Sequence, residues 1–345
     1  MAKNGFRRIA VCGGGAWGTT LANRLAAKRE TPVHLWAREP HVVAGIRQTR
    51  FNDAFLPGIR LDDSLEAHSD PQDAIEGADL LILAVPVQFL QDTFTQIAPL
   101  IQPNTTIVSV AKGLQRDTKR TPSEIVQKLL SVPHTIACLS GPNIAIEIAE
   151  NHPSVAVIAS PDYRVLPELQ SLFSGPMFSI TTSADLRGVE LGGALKNVIA
   201  LASGAVAGLG TGINYQSALV AEGYNEILAV GAKLGANPET FTGPAGLGDL
   251  MTTCFSEKSR NFRFGYTLAR VGNVEQAVHS LGGHVAEGVA TAQSLYELTR
   301  ELSLRCPIVD ITYRILYEGG APQLLIDSMR EFGFERSSYH APRGD

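Results

Sequence analysis

Three groups of residues in this sequence have the types and spacing to do chemistry. Gly13, Gly15 and Gly18 form G-x-G-x-x-G within RRIAVCGGGAWGTTLANRLA. Gly13 permits a tight turn, Gly15 lets backbone approach a pyrophosphate, and Gly18 lets a helix pack on a sheet. Phosphates would then meet the free N–H groups and positive dipole end of a helix N-terminus. The second group is a pair of lysines beside Gly-rich backbone: Lys112 in VAKG and Lys196 in ALKNVIALASGAVAGLGTGIN. From Asn197 to Ala221 no formal charge follows. Lys196 is therefore the flank of a membrane span, a stray charge on a buried helix, or a lysine deliberately held out of water. Desolvation would lower the pKa of such a lysine and suit it to proton transfer near neutral pH. The third group lies in GPAGLGDLMTTCFSEKSRNFRFG, which carries Asp249, Ser259, Arg260 and Asn261. Ser259 reads as an N-cap, and an Arg and an Asn in the turn after it make an anion site.

The elements that must position these residues divide the chain in two. RRIAVC, VHLWA, DLLILAVP, TTIVSVAKG, HTIACLSGP, SVAVIAS and MFSITTS read as strands, several of them continuous apolar runs, separated by helical patterns. That alternation predicts an α/β fold, a doubly wound parallel sheet covered on both faces. After about residue 185 strand signals vanish, and helix-length segments such as YQSALVAEGYNEILAVGAKLG and VATAQSLYELTREL take over. The expected organisation is a nucleotide-binding α/β domain over 1–187 and an all-α domain over 188–345. Lys112 and the GPNIAIEIA segment (141–149) follow strands, at the carboxyl edge where open α/β sheets bind ligands. There Gly141 and Pro142 make a turn, with Asn143 as a helix cap.

Strand two ends in Arg38, followed by Glu39. An acidic residue near this position takes ribose hydroxyls, whereas an Arg accommodates a 2′-phosphate through bidentate hydrogen bonds. Arg38 therefore favours NADPH over NADH, with NAD still possible.

Composition excludes other classes. The net charge of −5 provides no basic field for nucleic acid. The charge-free run after Lys196 contains Ser203, Thr211, Asn214, Gln216 and Ser217, too many polar groups for a membrane span. The N-terminus lacks the apolar core of a signal peptide. Cys12, Cys138, Cys254 and Cys306 are scattered, with no CxxC pair and no histidine at metal-ligand spacing. Reduced thiols in a cytoplasmic protein, and no metal, are expected.

GGGAWGTTLA, AVP, AKGL, SGPN, ELGGALKN, AGLGDL and SRN occur in that order. Together they resemble the NAD(P)-dependent glycerol-3-phosphate dehydrogenases of the bacterial biosynthetic type, over nearly the whole chain. The resemblance implies a Rossmann-like domain followed by a helical one. It implies reduction of dihydroxyacetone phosphate to sn-glycerol 3-phosphate for phospholipid synthesis, by a homodimer in the cytoplasm. Carried over, the general acid/base lysine falls on Lys196. Lys112, Gly141, Asn143, Asp249, Ser259, Arg260 and Asn261 fall on substrate positions. Gly13, Gly15, Ala16, Trp17, Gly18, Arg38, Lys112, Ala145, Arg260, Val285 and Glu287 fall on cofactor positions. The chain departs from the pattern at Ala16, where Ser is frequent, and at Asn143, where Ser or Thr is common. Hydride addition to a ketone leaves charge on the carbonyl oxygen, and a desolvated Lys196 answers the need for a proton donor there.

Two rival readings remain. Another two-domain reductase, of the ketopantoate or β-hydroxyacid kind, would bind a carboxylate in place of a phosphate. A non-catalytic NADPH sensor would keep Gly13, Gly15 and Gly18 but need neither Lys196 nor Asp249.

Overall fold

The computed structural model describes residues 5–281 and 286–328. The first half runs β1 (Ile9–Cys12), α1 (Ala16–Ala27), β2 (Val33–Trp36), α2 (Pro40–Thr49), β3 (Phe51–Asn52), β4 (Leu56–Arg60), β5 (Glu66–His68) and α3 (Pro71–Ile75). Next come β6 (Leu80–Leu83), α4 (Val87–Ile97), β7 (Thr105–Ser109), α5 (Pro122–Leu129), β8 (His134–Ser140), α6 (Ala145–Ala149), β9 (Ser154–Ala159), α7 (Leu166–Phe173) and β10 (Phe178–Ser183). Helices follow: α8 (Leu186–Gly208), α9 (Ile213–Lys233), α10 (Pro238–Thr242), a π-helical turn (Pro244–Gly248), α11 (Asp249–Cys254), α12 (Arg260–Val271), α13 (Val274–Ser280), α14 (Glu287–Glu301) and α15 (Pro307–Tyr317).

Eight strands form one sheet in the order β10-β9-β8-β7-β6-β1-β2-β5, and β3 and β4 form a separate hairpin. Every residue of β1, β2, β6 and β7 is buried, as the continuous apolar runs predict for strands covered on both faces. Alternation splits the core in two. Val11, Leu35, Ile82 and Phe178 pack on one face, and Ala10, Leu81, Leu83 and Phe94 on the other. The chain leaves β1 to one side for β2 and returns to its other side for β6, so the C-terminal end of β1 is the switch point of the sheet. The expected doubly wound α/β fold holds, with one exception to its parallel rule: β8 pairs with β9 antiparallel.

The described residues divide into two compact units, one of residues 5–193 and 236–249, the other of residues 194–235, 250–281 and 286–328. The sequence reading placed the division after residue 187; here it falls within α8. The reason is local. Asn237 N and Thr240 Oγ1 both donate to Asp185 Oδ2, and a Cβ on Gly192 would lie 2.6 Å from the Ala245 carbonyl oxygen. Those contacts keep the start of α8 and residues 236–249 with the sheet.

In the second unit the small residues of α8 have a packing role. A Cβ on Gly265 would lie 1.9 Å from the Leu201 carbonyl oxygen, and one on Gly204 2.0 Å from that of Phe262. Helices α8 and α12 therefore cross backbone to backbone, which only glycine permits. α8 is long and apolar enough to cross a membrane, but 94% of that stretch is buried within the protein.

Two buried carboxylates tie helices together. Glu190 accepts from Ser123 N and Ser123 Oγ at the start of α5, and Glu226 accepts from Ile308 N and Val309 N at the start of α15. Burial pushes Glu190 up to about 7 and Glu226 up to about 8. Folded-state values above the usual carboxyl range mean that the folded chain holds protons the unfolded chain has released. The stability they confer is complete below the ordinary carboxyl value and is lost as pH rises through about 7 and 8. The melting temperature should therefore fall from pH ~6 to pH ~9, and Glu226→Gln should flatten that slope. An equally steep slope in Glu226→Gln would assign the pH dependence to other groups.

Candidate functional site

The glycine turn after β1 is shaped by steric need. Gly13 has φ +122°, and a Cβ there would lie 2.6 Å from the Ala84 carbonyl oxygen. A Cβ on Gly18 would lie 2.0 Å from the Gly13 carbonyl oxygen, so α1 can begin this close to the turn only with glycine. Gly15 differs: a Cβ there would meet no atom within 4 Å. That side of the turn is open. Gly15 is the N-cap of α1 and supplies no side-chain cap, so the N–H groups of the first turn, at Ala16, Trp17 and Gly18, are left for an anion. Trp17 Nε1 is buried without a hydrogen-bond partner. An uncapped helix end, an open approach and an orphaned donor fit a dinucleotide pyrophosphate. Ala37 packs against Gly14, and Arg38 follows it with a side chain 79% exposed that pairs with Glu39 at 3.2 Å. Ala145 opens α6, and its carbonyl accepts from Thr20 Oγ1 of α1.

The same unit holds Lys112 beyond the end of β7. Its Nζ donates to Asp249 Oδ2 at 2.6 Å and to the Gly141 carbonyl at 3.0 Å. Asp249 is 1% exposed. Gly141 has φ +150°, and a Cβ there would press on the β9 backbone, so this residue too must be glycine. Asn143 does not cap α6 as expected. The N-cap is Ile144, and Asn143 Nδ2 instead reaches the Val155 carbonyl at 3.2 Å. Its Oδ1 is buried and unpartnered, as is Ser140 Oγ at the end of β8. These orphaned atoms cluster along the sequence with Gly141, where a polar ligand would satisfy them.

In the second unit Lys196 sits inside α8. The sequence reading put it at the front edge of an apolar helix, but α8 already begins at Leu186, and Lys196 is 5% exposed. Its Nζ donates to Thr253 Oγ1 at 2.6 Å. The adjacent Asn197 takes part in a buried relay. Asn261 Nδ2 donates to Asn197 Oδ1, and Asn261 Oδ1 accepts from Gly288 N, each at 2.9 Å. Asn197 Nδ2 is left buried with no partner. Ser259 caps α12 as expected, accepting from Phe262 N. Arg260, in the first turn, lies 3.6 Å from Glu287, the first residue of α14.

The structure thus joins Lys112, Gly141 and Asp249 in one unit, and Asn261 with the α14 start in the other. Val285 lies outside the described residues. Sequence reasoning missed Ser140 and Thr253. Thr253 stands four residues after Asp249 in one helix, a spacing that puts both on one face and could have been read.

Residues 8–166 match the family described as NAD-dependent glycerol-3-phosphate dehydrogenase N-terminus, and residues 185–327 match its C-terminus. A glycerol-3-phosphate dehydrogenase [NAD(P)+] of Geobacter metallireducens is 42% identical over 313 residues, covering 90% of this chain and 93% of the relative. One from Geobacillus thermodenitrificans is 38% identical over 330 residues, 95% of this chain and 96% of the relative. The crystal structure of glycerol-3-phosphate dehydrogenase from Coxiella burnetii superposes with a TM-score of 0.89 at 32% identity, covering 94% of this chain and 99% of that one. A ketopantoate reductase from Ralstonia eutropha reaches a TM-score of 0.58 at 16% identity, covering 94% and 99%, and shares the fold alone. With both halves matched and relatives this similar along nearly their full length, the chain belongs to the NAD-dependent glycerol-3-phosphate dehydrogenase family.

Proposed function

We propose that the chain is an oxidoreductase that reduces dihydroxyacetone phosphate to sn-glycerol 3-phosphate with NAD(P)H, and that Lys196 is its proton donor. The observation that carries the site assignment is a buried Lys196 ammonium next to Asn197, whose buried Nδ2 has no partner. A folded protein leaves such a donor unsatisfied at a cost unless a ligand oxygen completes it.

The nicotinamide, when bound, supplies the hydride to the carbonyl carbon. Lys196 Nζ then gives a proton to the oxygen that gains charge, and its burial keeps water from competing for that role. Thr253 Oγ1 accepts from Nζ and fixes its direction. Asn197 Nδ2 donates to a substrate oxygen. Asp249 and the Gly141 carbonyl hold the Lys112 ammonium, which faces substrate as a positioned cation. The α12 N-terminus, with Ser259, Arg260 and Asn261, binds the phosphate. The Gly13–Gly18 turn, Trp17, Arg38, Ala145 and Glu287 hold the dinucleotide. Supply of the glycerophospholipid backbone, a cytoplasmic location and a homodimer rest on the family resemblance.

Arg260→Ala tests the substrate reading. It should raise the Michaelis constant for dihydroxyacetone phosphate by roughly 10- to 100-fold, the scale of a lost charge-assisted contact. Unphosphorylated dihydroxyacetone, a poor substrate, should hardly change. An equal loss for both ketones would place Arg260 away from the phosphate.

Arg38 gives the preference for NADPH. Its guanidinium is solvent-facing and held lightly by Glu39, so it is available to a 2′-phosphate. Arg38→Ala should weaken NADPH by about 1.5–3 kcal/mol and leave NADH nearly unchanged. Equal weakening of both cofactors, measured by fluorescence titration, would remove Arg38 from that role.

A further inference from the structure

Outside every residue assigned above, His34 on β2 meets Glu66 and His68 on β5. β5 is the edge strand of the sheet, and its register sets His34 opposite Glu66 and Trp36 opposite His68. Side chains two apart on a strand share a face, so all three groups project to the same side. His34 Nδ1 lies 3.0 Å from His68 Nε2, and Glu66 Oε2 lies 3.4 Å from the first and 3.7 Å from the second. A triangle with those sides has a circumscribed radius of about 2.0 Å, close to the 2.0–2.2 Å at which zinc holds imidazole nitrogen and carboxylate oxygen. An ion slightly above the plane would reach all three atoms with no movement of the backbone.

We propose that His34, Glu66 and His68 form a binding site for one divalent transition-metal ion of the zinc type, with solvent completing the fourth position. The two imidazole nitrogens are borderline donors that favour Zn²⁺ and its neighbours over Mg²⁺ or Ca²⁺, and the harder carboxylate oxygen is a ligand that zinc also accepts. Access comes from the Glu66 side, whose side chain is 62% exposed, while His34 at 5% forms the buried floor. The two arginines closest in influence are drawn to backbone oxygens, Arg8 to Asp73 O and Arg47 to Ala67 O. The ion would pin a three-residue edge strand to β2, the strand that leads through Ala37 into Arg38. The expected consequence is stability of that edge, with no part in the reduction itself.

The test uses untagged full-length protein stripped with a chelator. Titration with Co²⁺ should bind one equivalent and give the intense visible bands of a four-coordinate nitrogen–oxygen site, without thiolate-to-cobalt charge transfer. Zn²⁺ should displace the cobalt and raise the melting temperature by several degrees at a hundredfold excess over Kd. Glu66→Ala, at an exposed position that leaves folding intact, and His68→Ala should each lower affinity at least tenfold. Absence of stoichiometric binding, a thiolate band that moves the ion to a cysteine, or unchanged affinity in both variants would overturn the proposal.

Discussion

Lys196→Met is expected to fold, to bind NADPH normally, and to reduce dihydroxyacetone phosphate roughly 10²–10⁴-fold more slowly than the wild type. Methionine keeps the length and apolar stem of lysine, so the buried slot in α8 stays filled. The cradle proposed for the cofactor phosphates is the Gly13–Gly18 turn, so NADPH affinity serves as the control for an intact cofactor site. What is lost is the ammonium that donates to Thr253 and that is proposed to protonate the carbonyl oxygen. Single-turnover oxidation of bound NADPH isolates the chemical step from product release. Thr253→Val should produce a smaller loss, because it removes the aim of Nζ and leaves the proton. Near wild-type turnover in a folded Lys196→Met protein would transfer the donor role elsewhere, with Lys112 the first candidate.

Asp249→Ala should carry the largest cost in stability. Asp249 is 1% exposed and lies 2.6 Å from the Lys112 ammonium. Removing one member of a buried ion pair costs roughly 3–5 kcal/mol, because the remaining charge loses its compensation. For a unit of this size that corresponds to a fall in melting temperature of roughly 6–20 °C. The double variant Lys112→Met, Asp249→Leu should recover a large share of the stability, since it removes both desolvated charges together. Activity should not return if Lys112 has the substrate-facing role proposed for it. A double variant no more stable than Asp249→Ala would show that Asp249 is held by other contacts than Lys112.

Much of this was legible in the sequence because it is written in local patterns. Continuous apolar runs such as LLIL and IAVC gave the buried central strands, and the spacing of Gly13, Gly15 and Gly18 gave the turn that opens α1. Ser259 was recognisable as a cap because capping is a short-range affair of three residues. What escaped was long-range. The antiparallel β8–β9 pair depends on where the chain re-enters the sheet, which no run of residues encodes. The return of residues 236–249 to the first unit depends on Asp185, some 50 residues earlier, accepting two hydrogen bonds. Asn143 looked like a cap, but its side chain is claimed by a carbonyl on the neighbouring strand, and the helix starts one residue later. His34, Glu66 and His68 meet only through the β2–β5 pairing, which their spacing in the sequence does not announce. The only local trace is Glu66-x-His68, two residues on one strand face, and its partner is 32 residues away across a strand pairing.

The most direct measurement is oxidation of NADPH by the purified wild-type chain, with dihydroxyacetone phosphate and ketopantoate compared as substrates and the product identified by chirality. The account predicts stoichiometric oxidation with dihydroxyacetone phosphate, formation of sn-glycerol 3-phosphate alone, and negligible turnover of ketopantoate. Turnover of ketopantoate that exceeds that of dihydroxyacetone phosphate, or no oxidation with the phosphate ketone, would contradict it.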